Sequence, residues 1–318
     1  MKNPTMADSL DPDLLRAALQ PLAQATDLSP QARRYQAYYG LDLPHRHGVH
    51  SVLGRIAVSG YEVVAQAWWP GSPRATLIVL HGFYDHMGLY RHVIDWGLEM
   101  GFAVLGCDLP GHGLSSGPRA SINEFDEYQA VLRALLDEAR RLDLPTPWHL
   151  LGQSTGGAIA LDHLLHTARP GALGETILLA PLVRPRSWGW SRVSYELLRR
   201  FVEHIPRRFS ENSSDASFLE FIQTRDPLQP VILPTAWVGA LSRWIPRIEA
   251  APGCRHRPII VQGEADMTVD WRHNLPVLQS KFDNPEVLRL PTARHHLVNE
   301  SETLRREYFD FLRERLGH

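Results

Sequence analysis

The sequence predicts an α/β fold, with a mostly parallel central sheet flanked by helices and a helical cap inserted late in the chain. Three observations carry this. Short, wholly apolar runs such as Thr76–Leu80 and Phe102–Cys107 alternate with helix-like stretches, the pattern of parallel strands covered on both faces. Two earlier strand-like runs, Ser51–Val58 and Tyr61–Trp69, are split by Ser59-Gly60 as a hairpin turn requires. The strand–helix rhythm then breaks from about Leu182 to Gly253 and resumes afterwards.

Taken in order, residues 10–25 and 30–39 read as two short helices, the second closed by Gly40, and residues 1–48 form a lead-in to the core. After the hairpin, strand Thr76–Leu80 is followed by a helix near Leu89–Met100, and strand Phe102–Cys107 by a helix over about Phe125–Leu142. Strand Trp148–Leu151 leads into a helix over Thr155–His166, and Thr176–Ala180 is the next buried strand. Residues 49–181 are thus the first part of the core. Residues 182–253 are proline-punctuated, helical in character and rich in tryptophan and arginine, as a cap would be. Residues 254–318 return to the core, with strands Pro258–Gln262 and Glu286–Leu290 and an amphipathic helix from about Ser301 to the end.

Length and composition agree with one large core carrying an insertion. The chain has 318 residues, 44% hydrophobic and 21% charged, ordinary values for a globular protein. A net charge of −2 gives no general attraction to nucleic acid. Cys107 and Cys254 stand far apart, so they make neither a disulfide framework nor a metal-binding spacing, and no metal or cofactor is expected. No stretch approaches the ~20 apolar residues that span a bilayer, and Met1–Asp8 lacks the apolar run of a secretory leader. The expectation is a cytoplasmic protein with peripheral membrane contact through the cap.

Gly152-Gln153-Ser154-Thr155-Gly156 matches G-x-S-x-G. Chance would supply such a pattern in roughly one chain of this length in ten, so its setting decides. A strand precedes it and a helix follows, the strand–turn–helix of a nucleophile elbow in the α/β-hydrolase fold. Ser154 is then the candidate nucleophile, held at a helix N-terminus whose partial charge favours an oxyanion. Leu80-His81-Gly82-Phe83 ends the first buried strand. In this fold that loop and the residue after the nucleophile supply the oxyanion-hole N–H groups, which points to Phe83 and Thr155. His81 is expected to be structural.

A serine hydroxyl needs a positioned base, and the order on this fold is Ser, Asp or Glu, His. Gly263-Glu264-Ala265-Asp266 and Pro291-Thr292-Ala293-Arg294-His295-His296 each follow a strand at its C-terminal end, where such sheets place their sites. Asp266 is the candidate acid, with Glu264 and Asp270 as competitors. Periodicity does not choose between His295 and His296.

Five blocks in order carry a resemblance: His81-Gly82-Phe83, Asp108 to Ser115, Gly152 to Gly157, Gly263 to Asp266 and Ala293 to Glu300. Over roughly residues 55–318 the chain resembles the lysophospholipase L2 and monoacylglycerol lipase-like group of α/β-hydrolases, the serine aminopeptidase S33 type. The resemblance implies Ser154, Asp266 and His295 as a catalytic triad, because the family's last block reads Ala-Arg-His-Glu-Leu-Leu-Asn-Glu. Here His296 replaces the glutamate, and Gln153 and Thr155 replace the commoner histidine and methionine. The Asp108–Ser115 block is expected to be a structural loop.

The resulting expectation is a serine hydrolase of carboxylic esters, acting on a small-molecule or lipid ester of lysophospholipid or monoacylglycerol type. The alternatives are a small-ester carboxylesterase, an aminopeptidase and a non-catalytic binding protein on the same fold. Aminopeptidase action needs acids to hold an ammonium. The cap instead carries seven arginines (Arg184, Arg186, Arg192, Arg199, Arg200, Arg207 and Arg208) against Glu196 and Glu203 over that stretch. Trp188, Trp190, Trp237 and Trp244 are the candidate lining of an acyl pocket.

Overall fold

The structure is a computed structural model and describes residues 10–167 and 171–317. Residues 1–9 of the expected lead-in lie outside the described residues.

Two helices, α1 (Pro12–Ala18) and α2 (Pro30–Tyr39), precede the sheet. The first is shorter than expected. It stops before Pro21, whose ring cannot continue a helix and which instead bridges Arg55 of the first strand. Strands β1 (His50–Val58) and β2 (Tyr61–Trp69) form the hairpin, with Ser59 and Gly60 both in the left-handed region, at φ 52° and 80°. That pair suits a two-residue turn whose twist matches the strands.

The core then alternates β3 (Ala75–Leu80), α3 (Arg91–Glu99), β4 (Phe102–Cys107), α4 (Phe125–Arg141), β5 (Trp148–Gln153), α5 (Thr155–His166) and β6 (Leu173–Leu179). Eight strands make one sheet in the order β1-β2-β4-β3-β5-β6-β9-β10, the last two being Ile259–Gly263 and Glu286–Leu290. β1–β2 and β2–β4 pair antiparallel and the rest parallel. Every residue of β3, β4 and β5 is buried, because alternate side chains enter different cores. Ile78, Leu105 and Leu150 pack with α4 and α5 on one face. Leu77, Val104 and Leu151 pack with α2, α3 and the last helix on the other.

After β6 the chain leaves the sheet for α6 (Trp188–Leu198), β7 (His204–Pro206), α7 (Ala216–Thr224), β8 (Ile232–Pro234) and α8 (Thr235–Ala250). β7 and β8 pair as an antiparallel ribbon, so the insertion is not wholly helical. Its two strands are three residues each, too short for alternation to reveal. Core strand β9 (Ile259–Gly263), helix α9 (Trp271–Lys281), edge strand β10 (Glu286–Leu290) and helix α10 (Glu302–Leu316) complete the chain. Helix α9 has no counterpart in the sequence reading. Pro276 lies within it, and its start is set by Asp270, whose carboxylate accepts the His273 N–H.

Helix α8 is tied to the core. Trp244 is buried, stacks on Phe125 of α4 at 4.6 Å, and donates its indole N–H to Asp162 of α5 at 2.8 Å. Arg247 also reaches Asp162, at 2.8 Å, and Asp126 at 2.7 Å, while Arg243 reaches Glu124 at 2.7 Å. Helix α6 instead turns Trp190, Val193 and Leu197 outward. Among the described residues, no helix is long and apolar enough to cross a membrane.

Candidate active site

Ser154 sits between β5 and α5 at φ 52°, ψ −109°, a strained backbone for a residue with a Cβ. The turn is possible because its neighbours are glycines. A Cβ on Gly152 would lie 2.3 Å from the Gly156 carbonyl, and one on Gly156 would lie 2.0 Å from the Leu80 oxygen. The Ser154 N–H is held by the Leu179 carbonyl at 2.9 Å, and its carbonyl accepts from Ala158 at 2.9 Å and Leu182 at 3.1 Å. The hydroxyl is thereby fixed at the N-terminus of α5.

His295 and Asp266 meet it there. His295 Nε2 lies 2.9 Å from Ser154 Oγ, and Nδ1 lies 2.7 Å from Asp266 Oδ2. The carboxylate cannot accept from Nδ1 unless that nitrogen carries the proton, which leaves Nε2 to accept from the serine hydroxyl. Asp266 is oriented from its other oxygen, which accepts the Thr268 N–H at 2.7 Å and the Val269 N–H at 3.1 Å. Burial pushes its pKa up, but His295 and these amides prevail and hold it below the ordinary carboxylate value. Gly263 lets the two loops approach, since a Cβ there would lie 2.3 Å from the Ala293 oxygen.

The competing residues have other partners. Glu264 pairs with Arg289 at 2.6 Å, and Asp270 caps α9. His296 turns away from Ser154 to Asp85, at 3.0 Å, and Asp85 also accepts from Tyr90 Oη at 2.9 Å and the Gly82 N–H at 3.2 Å. His81 is buried and uses both ring nitrogens: Nδ1 donates to the Gly82 carbonyl at 2.7 Å and Nε2 accepts from the Leu109 N–H at 2.8 Å. Burial pushes its pKa down. In the Asp108–Ser115 loop, Asp108 accepts the Met87 and Leu114 N–H groups, both at 2.7 Å. That pins the loop after β4 to the loop after β3.

Phe83 and Thr155 flank Ser154 in a cavity of about 290 Å³. Among the described residues, neither backbone N–H has an acceptor. Leu182, Ile222, Leu233, Trp237 and Val269 supply apolar walls, four of them from residues 182–253. Trp237 stacks on Phe83 at 3.8 Å between ring centroids. The other three tryptophans do not line this cavity. Trp244 is committed to Asp162, Trp188 is half-buried against the core, and Trp190 is 77% exposed. Of the seven arginines, Arg207 and Arg208 reach the cavity. Arg207 stacks over Tyr84 at 4.1 Å and donates to Gln229 at 2.6 Å. Gln153 has a contact the sequence did not suggest: its amide donates to the His295 carbonyl at 2.9 Å. Among the described residues, no group of His, Cys, Asp and Glu is arranged to hold a metal ion.

Residues 71–302 match the family model of serine aminopeptidase, S33. The chain belongs to that family. Monoglyceride lipase of Homo sapiens is 26% identical over 284 residues, 86% of this chain and 87% of the human one. Phospholipase YtpA of Bacillus subtilis is 34% identical over 114 residues, 36% of this chain and 43% of its own. A solved monoglyceride lipase of Saccharomyces cerevisiae superposes with a TM-score of 0.71 at 17% identity, covering 83% of this chain and 94% of that one. The fold is therefore that of the α/β-hydrolases, and this S33 member is a carboxylic-ester hydrolase.

Proposed function

We propose that this S33 hydrolase cleaves monoesters with medium or long acyl chains, of monoacylglycerol or lysophospholipid type, through an acyl-enzyme on Ser154. The observation that carries the reading is His295 bridging Ser154 and Asp266 inside an apolar-walled cavity. His295 Nε2 takes the hydroxyl proton as Ser154 Oγ attacks the ester carbonyl. Asp266 stabilises the imidazolium that results. The Phe83 and Thr155 N–H groups receive the developing oxyanion. His295 then gives the proton to the leaving alcohol, and a water deprotonated by the same nitrogen releases the acid.

Leu182, Ile222, Leu233 and Trp237 suit an acyl chain, and the names of the lipase and phospholipase relatives support a lipid ester. A cavity of about 290 Å³ favours one acyl chain over a bulky triacylglycerol. Arg207 and Arg208 would face an anionic head group where there is one. Despite the family's name, an N-terminal ammonium finds little here: besides the triad's own acid, the cavity wall offers Asp85, already bound to His296, Tyr90 and Gly82. Access from a membrane is supported by α6 and the residues after it. Trp190, Leu197 and Phe201 are 77%, 69% and 83% exposed, an apolar strip that would rest on the lipid surface holding the substrate.

Fluorophosphonate labelling with a substrate panel tests the reading. The panel comprises p-nitrophenyl esters of increasing length, a monoacylglycerol and a lysophospholipid of the same chain. Labelling at Ser154 with turnover rising towards longer chains is expected. Turnover confined to acetyl esters would leave a small-ester esterase, and absence of labelling would end the serine mechanism.

A further inference from the structure

A second cavity, of about 400 Å³, lies between α2, the start of α3 and α7. Its α2 wall, Ala37–Gly40, is outside residues 71–302, the part that matches the family. We propose that this cavity is a separate binding site for a carboxylate with an apolar body. The choice of acid rests on the ester-hydrolysis reading above, since that reaction releases such a product.

One side of the cavity is aromatic. Tyr38, Tyr39 and Phe221 pack around one another, with Phe221 at 6.0 Å from each tyrosine ring, and Phe218 joins them from the same helix. Tyr39 is locked in place by its hydroxyl, which donates to Asp226 at 2.7 Å. The rim is basic. Arg91 of α3 and Arg225 at the end of α7 both face the cavity, and neither is paired with a carboxylate among the described residues. Arg225 stacks over Phe221 at 5.2 Å. The acid at the rim, Asp215, is already engaged: it caps α7 by accepting from Ser217 and Phe218 and lies 3.9 Å from Arg305. His92 adds no charge. Burial holds it down to about 3, with Arg305 and Arg91 pushing the same way. A pocket with aromatic rings on one side and two guanidinium groups without a carboxylate partner among the described residues suits an anion with an apolar body.

The cavity is also one side chain away from the chemistry. Phe218 lies 4.7 Å from the ring of His296, which lines the catalytic cavity, as does Ile222, one turn further along α7. Helix α7 is the wall between the two cavities. Released acid therefore has a basic, aromatic site beside the place where it forms.

The test uses the full chain and a decanoate bearing a photoreactive diazirine at its tail. Crosslinks are expected in Ala37–Gly40 or Phe218–Arg225, competed by decanoate but not by decanol. Substitution Arg91→Gln with Arg225→Gln should cut labelling by about tenfold or more, the scale of losing charge-assisted bonds, while ester turnover stays within about twofold. Phe221→Ala should weaken labelling from the apolar side. Crosslinks confined to the catalytic cavity around Leu233 and Trp237, or equal labelling in both variants, would overturn the proposal. A protein that turns over no ester but still labels at α2 and α7 would end the hydrolase reading and leave the anion site standing.

Discussion

The replacement Asp266→Asn isolates the one group that sets the direction of proton transfer. In the wild type, Oδ1 accepts two backbone N–H groups, from Thr268 and Val269, while Oδ2 accepts from His295 Nδ1 and, at 3.2 Å, from the Gln262 amide. An asparagine must keep its oxygen on the two backbone donors, because its NH₂ cannot accept from them. The NH₂ then faces His295 Nδ1, which must become an acceptor. The imidazole proton moves to Nε2, and Nε2 no longer accepts from Ser154. Geometry is retained while the tautomer is wrong, and the triad template puts such a loss near 10⁴-fold in kcat. At 1.36 kcal/mol per decade that is about 5.4 kcal/mol of transition-state stabilisation. The Gln262 amide also comes to face another donor, so folding stability should fall by about 1–3 kcal/mol. The assay is kcat and KM on a p-nitrophenyl ester, with urea unfolding of the same samples. If Asp266→Asn keeps more than about a tenth of wild-type kcat, the carboxylate does not orient the base and the proposed mechanism fails.

Ser154→Ala should lose on the order of 10⁴-fold or more in kcat and all fluorophosphonate labelling with the fold intact; residual turnover above about a tenth would move the nucleophile elsewhere. His295→Ala should be inactive, whereas His296→Ala keeps its serine chemistry, and the reverse result would refute the pairing of Nε2 with Ser154. Replacing Trp190, Leu197 and Phe201 with serine should reduce sedimentation with lipid vesicles while leaving turnover of a soluble short-chain ester unchanged; undiminished sedimentation would remove α6 as the membrane contact. Stability should fall as pH drops below about 6.5. Burial holds His112 down to about 3 and His149 to about 4, so the unfolded chain binds more protons over that interval. Asp266, depressed in the fold, adds a further loss below the ordinary carboxylate value. His86, raised by Asp226 against the effect of its burial, contributes with the opposite sign and is lost as pH rises. Equal urea midpoints at pH 7.5 and 5 would contradict this balance.

The sheet was legible where burial leaves no choice. β3, β4 and β5 are covered on both faces, so their residues are continuously apolar and their ends are sharp. Helix α9 was not, because its interior proline and polar residues obscure the helical period. The turn at Ser154 was legible because its geometry dictates the flanking residues: Gly152 and Gly156 have no room for a Cβ. The choice between His295 and His296 has no such local signature. It is made by Asp85, 211 positions away in the chain, which takes up His296. The tryptophans illustrate the same limit. Trp237 and Trp244 are indistinguishable in composition, and what separates them is that Asp162 lies under one and Phe83 under the other.

Those two tryptophans also explain how an insertion can have a fixed relation to Ser154. They are seven residues apart on α8, about two turns or 10.5 Å along one face. Trp244 is fastened to Asp162, and Asp162 stands on α5, the helix that begins immediately after Ser154. Trp237 then reaches over Phe83, which lines the same cavity. One helix thus carries the serine at its start and the insertion's anchor two turns on. The wall above the serine is set by a rigid helix pair rather than by the length of the connecting loops. Helix α6 is held less deeply: none of its described side chains is fully buried, Trp188 packs half-buried against the core, and Trp190 is exposed. The insertion therefore divides by packing into α8, which is anchored and walls the cavity, and α6, which leaves Trp190, Val193 and Leu197 exposed.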